Sequence, residues 1–267
     1  MPLAHVRGID IYWERRGTGE KLLFINGSGG DLRNRPSMMD PPATDVLDVL
    51  GYDQRGLGQS GKPDAPYTMA DYADDAAGLM DALGWPRAKV VGVSFGGMVA
   101  QEFVLRHPQK VSRLVLACTS PGGAGGPSYP LHTLAHMERP ARARFMVGIS
   151  DTRCDEAWQA ANPELYEQAV GLTAVDPYAG EPGRAMGARR QLEARAGHDV
   201  WDRLGEIACP VLIAAGRYDG IAPPANQEAM ASRIPNAELR YFEGGHGFLM
   251  QDPAARPAMI EFLRRPD

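Results

Sequence analysis

The stretch Val90-Val91-Gly92-Val93-Ser94-Phe95-Gly96-Gly97-Met98-Val99-Ala100 decides how the rest of this 267-residue chain is read. Its centre, Gly92-Val93-Ser94-Phe95-Gly96, has the pattern Gly-x-Ser-x-Gly. The apolar residues before it read as a strand, and residues 97–105 read as a helix. A strand that feeds a helix through one serine puts that serine on a sharp turn, with a strained backbone and an exposed hydroxyl. Glycines flank it because neighbouring Cβ atoms would collide in such a turn. The helix N-terminus points at the same spot and favours developing negative charge there. The pattern is short and the chain holds 31 glycines, so context must decide against a Gly-rich turn with an incidental serine.

A serine nucleophile needs a base to take its proton and a carboxylate to orient the base. There are six histidines: His5, His107, His132, His136, His198 and His246. His246 lies in Glu243-Gly244-Gly245-His246-Gly247, directly after the strand-like residues 237–242. A histidine on a short Gly-rich loop at a strand end can reach over the top of a sheet. Asp219 lies in Gly216-Arg217-Tyr218-Asp219-Gly220, after the apolar strand 211–215. Three loops, each after an expected strand, thus carry Ser94, Asp219 and His246 in that order.

The remaining pattern supports one sheet. Residues 6–14 read as a hairpin turning near Gly8. Residues 21–25, 46–52, 89–93 and 113–117 read as buried strands. Residues 67–83 have helical spacing, with Thr68 and Asp71 as start signals and Gly84 as the stop. Strands alternating with helices imply a mostly parallel sheet with helices on both faces, and ligands then bind beyond the carboxyl ends of the strands. Between Ser120 and Leu204 strand alternation stops. Residues 139–148, 155–161, 163–172 and 187–196 are helical after the Gly-rich stretch 121–127. We read residues 1–120 and 205–267 as the core and 121–204 as a helical cap, hinged at the glycines because lids need backbone freedom.

With these motifs in place the chain resembles the α/β-hydrolases over nearly its whole length. Asp53-Gln54-Arg55-Gly56-Leu57-Gly58-Gln59-Ser60 is similar to the family's loop after its fourth strand, and His107-Pro108 to the end of its elbow helix. The resemblance implies an eight-stranded, mostly parallel α/β sheet with a helical cap insertion. The family's oxyanion loop usually reads His-Gly; here it reads Asn26-Gly27-Ser28-Gly29-Gly30-Asp31. Asn at that place, and Gly96-Gly97-Met98 followed by Gln101, resemble 3-oxoadipate enol-lactonases and related carboxylesterase-like members. Gly27 and Ser28 depart from the Ser and Leu usual there. The resemblance implies catalysis by Ser94, Asp219 and His246, with an oxyanion hole from the backbone N–H groups of Ser28 and Phe95. Gly27, Asn26 and His198 are expected near substrate, with Asn26 bracing its loop.

Other features carry blander readings. The net charge of −5 gives no electrostatic reason to bind nucleic acid or an anionic membrane. No run of eighteen apolar residues suggests a membrane span, and the N-terminal residues do not read as a signal peptide. Three widely spaced cysteines, Cys118, Cys154 and Cys209, suit reduced thiols in a cytoplasmic protein. His132 and His136 have the i, i+4 spacing of metal ligands, but no third ligand accompanies them, so a solvated helix face is expected. Asp53 and Arg55 are expected to fix a loop through an internal ion pair. No phosphate loop, dinucleotide fingerprint or metal cluster is present, so no cofactor is expected. A homo-oligomer is left open.

The expected partner is a small-molecule ester or lactone, small to medium and largely apolar, cleaved through an acyl-enzyme on Ser94. Cleavage of a carbon–carbon bond by the same triad is the alternative. A non-catalytic small-molecule binder is the third reading, which the intact triad disfavours. Apolar residues of the cap, among them Tyr129, Phe145, Leu165 and Leu172, are expected mostly as core, with some lining the space beneath. One anionic substrate group would pair with Arg189 or Arg190.

Overall fold

A computed structural model describes residues 2–266. Arg7 (φ 47°) and Gly8 (φ 82°) both adopt left-handed backbone. That is the two-residue turn a hairpin favours, because its twist matches that of the strands it joins. It pairs β1 (Leu3–Val6) antiparallel with β2 (Ile9–Arg16), a hairpin longer at both ends than the sequence suggested. β3 (Glu20–Ile25), β4 (Leu47–Tyr52), β5 (Ala88–Val93), β6 (Val111–Ala117), β7 (Val211–Gly216) and β8 (Ala237–Phe242) complete an eight-stranded sheet. The strand order is β1-β2-β4-β3-β5-β6-β7-β8. β2 also runs antiparallel to β4, and the pairings from β4 through β8 are parallel.

Strands buried on both faces read as continuous apolar runs rather than alternating ones. Val90 of β5 packs into one core and Val91 into the other; Leu116 and Ala117, and Ile213 and Leu212, divide in the same way. α1 (Met69–Ala82) and α2 (Phe95–Arg106) cover the first face. α1 begins two residues later than its first apolar position, Tyr67, suggests, because Thr68 and Asp71 form a reciprocal cap. The Thr68 hydroxyl accepts from Asp71 N–H at 3.1 Å and the Asp71 carboxylate from Thr68 N–H at 3.0 Å. Gly84, at φ 66°, ends the helix.

Between β6 and β7 the described residues contain no strand. α3 (Arg139–Ser150), α4 (Glu156–Ala161), α5 (Pro163–Ala174) and α6 (Arg184–Ala196) fill this insertion, with short 3-10 turns before and after. Ala143, Val147 and Val170 form a small core of its own between α3 and α5, whereas Val200 and Leu204 join the main core. The glycines at 122–126 do not form a loose hinge. A Cβ at Gly122 would strike the His198 carbonyl, one at Gly125 the Trp201 ring, and one at Gly126 the Asn226 amide. Glycine is needed there for close packing. After β7 follow α7 (Pro224–Arg233) on the first face and α8 (Phe248–Gln251) and α9 (Ala255–Leu263) on the second. Among the described residues no helix is long and apolar enough to cross a membrane.

Two substitutions separate surface capping from core packing. Thr68→Ala should cost about 1 kcal/mol in urea unfolding, the usual loss for a side-chain cap. Leu114→Ala, at a fully buried position, should cost about 3 kcal/mol. Equal losses would contradict the placement of the two residues.

Candidate active site

β5 ends in Val93, and Ser94 follows at φ 56°, ψ −117°, as the residue preceding α2. Such a conformation costs a non-glycine residue on the order of 1–3 kcal/mol and persists only where surroundings enforce it. They do so here. A Cβ on Gly92 would collide with the Gly96 carbonyl, and one on Gly96 with the carbonyls of Ile25 and Asn26. Ser94 N–H donates to Ala117 O at 2.8 Å, and Thr119 Oγ1 donates to Ser94 O at 2.8 Å.

The loops after β5, β7 and β8 bring three side chains into series. Ser94 Oγ lies 2.8 Å from His246 Nε2, and His246 Nδ1 lies 2.8 Å from Asp219 Oδ2. With its proton on Nδ1, His246 donates to Asp219 and accepts from Ser94. The other Asp219 oxygen accepts from the N–H groups of Ile221 and Ala222, each at 2.8 Å. A fully buried carboxylate is thereby satisfied and kept in one orientation.

The loop after β3 lies against Ser94. A Cβ on Gly27 would sit 3.4 Å from Ser94 Cβ. Asn26 is turned back on its own loop: its Oδ1 accepts from Gly27 N–H at 2.8 Å, and its carbonyl accepts from Gln54 Nε2 at 2.8 Å. Among the described residues nothing accepts a hydrogen bond from the N–H of Ser28 or Phe95. Phe95 is the first residue of α2, where N–H groups point out of the helix end without intrahelical partners. Asp53 is buried and accepts from Leu32 N–H at 2.7 Å and Gln59 N–H at 2.8 Å. Burial nevertheless pushes its pKa up to about 6. It does not pair with Arg55, whose partner is Asp75 at 2.6 Å. Both residues hold the loop, but through separate contacts.

The insertion orders the site in ways the sequence did not disclose. The end of α3 is wedged between the loops of Asp219 and His246. His246 N–H donates to Ser150 O at 2.6 Å, Gly220 N–H to Ile149 O at 3.1 Å, and Thr152 N–H to Tyr218 O at 2.9 Å. Gln251 links the same parts, donating to Asp151 at 3.0 Å and accepting from Gly245 N–H at 2.8 Å. α6 docks on the loop after β3. Arg184 reaches the buried Asp31 at 3.1 Å, and Gln191 Oε1 accepts from Gly29 N–H at 2.8 Å. Backbone contacts leave no sequence signature, so only Gly245 and Gly220, whose Cβ atoms would meet Ser150 and Ile149 carbonyls, carried a trace of them.

His198 is buried, and neither ring nitrogen reaches a hydrogen-bond partner. Burial drives its pKa down to about 3. It lines a cavity of about 80 Å³ with Met98, Ser128, His132 and Arg195. A wider cleft of about 320 Å³ adjoins Asn26, Ser28, Val93 and Leu249 on the other face of the sheet. His132 and His136 are both exposed and sit on a 3-10 turn, Leu131–His136, where residues four apart do not share a face. Among the described residues no three candidate ligands gather as a metal site would need. Leu165 and Leu172 lie on the surface of α5 rather than over a pocket. Arg189 and Arg190 are both paired with Glu193, and Arg190 also with Asp64.

Two measurements test this architecture. Gln251→Ala removes the side-chain link to the His246 loop and should lower kcat on the order of tenfold with little change in KM, since small misplacements of a base are costly. For His198, the unfolded imidazole takes up a proton near pH 6.5 while the native one resists it to about pH 3. Stability is therefore lost as pH falls through that window. His198→Gln should make unfolding free energy less steep against pH there by up to one proton, and an unchanged slope would refute the buried neutral ring.

Residues 21–147 and 155–253 match the family described as the alpha/beta hydrolase fold. A poly(3-hydroxyalkanoate) depolymerase of Ectopseudomonas oleovorans is 32% identical over 247 residues, covering 91% of this chain and 84% of that protein. A Caulobacter vibrioides protein assigned as the carbamate hydrolase RutD is 33% identical over 257 residues, covering 91% and 90%. The crystal structure of the enol-lactonase from Burkholderia xenovorans LB400 superposes with a TM-score of 0.79 at 24% identity, over 99% of this chain and 100% of that one, a likeness of fold. Sequence, relatives and sheet topology agree: this chain belongs to the α/β-hydrolase family of enzymes.

Proposed function

We propose that the protein is a serine hydrolase that cleaves a carboxylic ester or lactone of a small to medium, largely apolar molecule through an acyl-enzyme on Ser94. The hydrogen-bonded series Ser94–His246–Asp219 carries this reading. Ser94 Oγ attacks the carbonyl carbon while His246 Nε2 takes its proton. Asp219 holds the ring and stabilises the imidazolium. The carbonyl oxygen becomes an oxyanion facing the N–H groups of Phe95 and Ser28, and each such donor is typically worth about 3 kcal/mol of barrier. Collapse breaks the bond to the leaving oxygen, which takes the proton from His246. In a lactone that oxygen stays tethered to the acyl group. Water, deprotonated by the same imidazole, then frees Ser94.

The substrate size follows from the space beside the oxyanion loop. A cleft of about 320 Å³ lies at the small end of the range for ligand pockets. The names of the relatives, a polyester depolymerase and a carbamate hydrolase, share attack on an acyl carbon bonded to a heteroatom. They favour this chemistry over carbon–carbon cleavage. The cap role of residues 121–204 belongs to the same proposal, supported by the contacts of α3 and α6 with the three loops.

A fluorophosphonate should form one adduct, on Ser94, and abolish turnover. Ser94→Ala and His246→Ala should each lose at least about a thousandfold in kcat. Chelators should have no effect. p-Nitrophenyl acetate and butyrate should be cleaved faster than long-chain esters, and a panel of lactones should yield a better substrate. Retained activity in Ser94→Ala, or turnover of a ring-cleavage diketone in preference to every ester, lactone and carbamate, would overturn the reading.

A further inference from the structure

Residues 27–30 form a type II turn. Gly30 N–H donates to Gly27 O at 3.1 Å, and Gly29 sits at φ 67°, the third position, where that turn needs a positive φ. Gly27 N–H goes to Asn26 Oδ1 at 2.8 Å, Gly29 N–H to Gln191 Oε1 at 2.8 Å, and Gly30 N–H closes the turn. Among the described residues Ser28 N–H donates to nothing and remains for an oxyanion. Ser28 and Gly29, the tip of the turn, are exposed and line the substrate cleft. A Cβ on Gly29 would meet nothing within 4 Å, so packing does not hold the tip there. What holds Gly29 is a hydrogen bond to the insertion.

Gln191 sits on a helix that is itself firmly seated. Arg184, Gly187 and Gln191 are spaced i, i+3 and i+7 along α6 and share one face. Arg184 reaches Asp31, at the end of the same loop, at 3.1 Å. A Cβ on Gly187 would strike the Gly56 carbonyl, so the helix backbone lies directly against the loop after β4. Gln191 is only 1% exposed, and its Nε2 has no partner. The amide cannot be turned to use that nitrogen, because Gly29 N–H needs an oxygen acceptor. A buried NH2 group left unpaired destabilises a fold, whereas an apolar side chain of the same length does not. Stability therefore does not account for a glutamine at this place. The acceptor it offers Gly29 does.

We infer that Gln191 is a positioning residue for the oxyanion hole: by holding Gly29 N–H it fixes the turn 27–30 so that Ser28 N–H faces the carbonyl oxygen under attack. The geometry of the hole then depends on the seating of α6, so the insertion takes part in catalysis without touching the reacting atoms. The inference rests on Ser94 as nucleophile and on Ser28 as an oxyanion donor. Without the bond the exposed tip is free to tilt. The donor is then misaimed in the transition state while substrate binding is little changed, which lowers kcat rather than raising KM.

The test compares p-nitrophenyl butyrate with its thiono analogue, in which C=S replaces C=O. Sulfur is a weak hydrogen-bond acceptor, so the thiono ester gains little from the two N–H donors, and the oxo-to-thiono ratio of kcat/KM reports on the hole. Both rates come from one preparation, so the fraction folded cancels. Gln191→Met should lower kcat for the oxo ester at least about tenfold with KM within about twofold, a misaimed donor costing less than the roughly hundredfold or more of a deleted one. The thiono ester should change by less than about threefold, because it draws little on the hole. Gln191→Leu should behave alike, and both variants should unfold no earlier than the wild type. Gln251→Ala, which loosens the base, should slow both esters equally and leave the ratio unchanged. An unchanged ratio in Gln191→Met and Gln191→Leu would overturn the proposal. Failure of both variants to fold would assign Gln191 to stability and overturn it as well. If the wild-type ratio is no larger than that of hydrolysis by hydroxide, the oxyanion role of Ser28 falls and that of Gln191 with it. If Ser94→Ala cleaves both esters at wild-type rates, it is the nucleophile that falls.

Discussion

The backbone of Gly96 lies so close to the carbonyls of Ile25 and Asn26 that no side chain fits between them. Everything at the carboxyl end of the sheet depends on that approach. It presses the start of α2 against the end of β3, which sets Phe95 N–H beside the loop of residues 26–31. It also leaves the chain between β5 and α2 too little room to turn except through a positive φ at Ser94. The strain is met by bonds that cross to β6 and just beyond it, from Ser94 N–H to Ala117 and from Thr119 to the Ser94 carbonyl. The serine is thus held by two neighbouring strands rather than by its own loop, and rigid support of this kind is what a preorganised site requires.

A second set of constraints ties the insertion to the same centre. Carbonyls at the end of α3 accept N–H groups from the loops of Asp219 and His246, and α6 engages the loop after β3 through Gln191 and Arg184. A segment anchored at both of these places cannot lift as one body without loosening the series Asp219–His246–Ser94. α5 shares with α3 a buried cluster of only three residues and exposes Leu165 and Leu172, and α4 buries none of its own. Regions with few buried apolar contacts open at low free energy, so substrate access is best sought there rather than at the glycines of 122–126.

The sheet was legible because its signals are local and redundant. Continuous apolar runs mark strands buried on both faces, and the Thr68–Asp71 cap and Gly84 bound α1 to within a residue or two. The three loops holding Ser94, Asp219 and His246 were legible for the same reason, each being a short Gly-rich link after an apolar run. What the sequence could not convey was contact between distant backbones. Glycines at 122–126 read as a hinge because composition does not distinguish freedom from crowding. Asp53 and Arg55 read as a pair because they are neighbours, while the partner of Arg55, Asp75, sits twenty residues on, a full helix approach away.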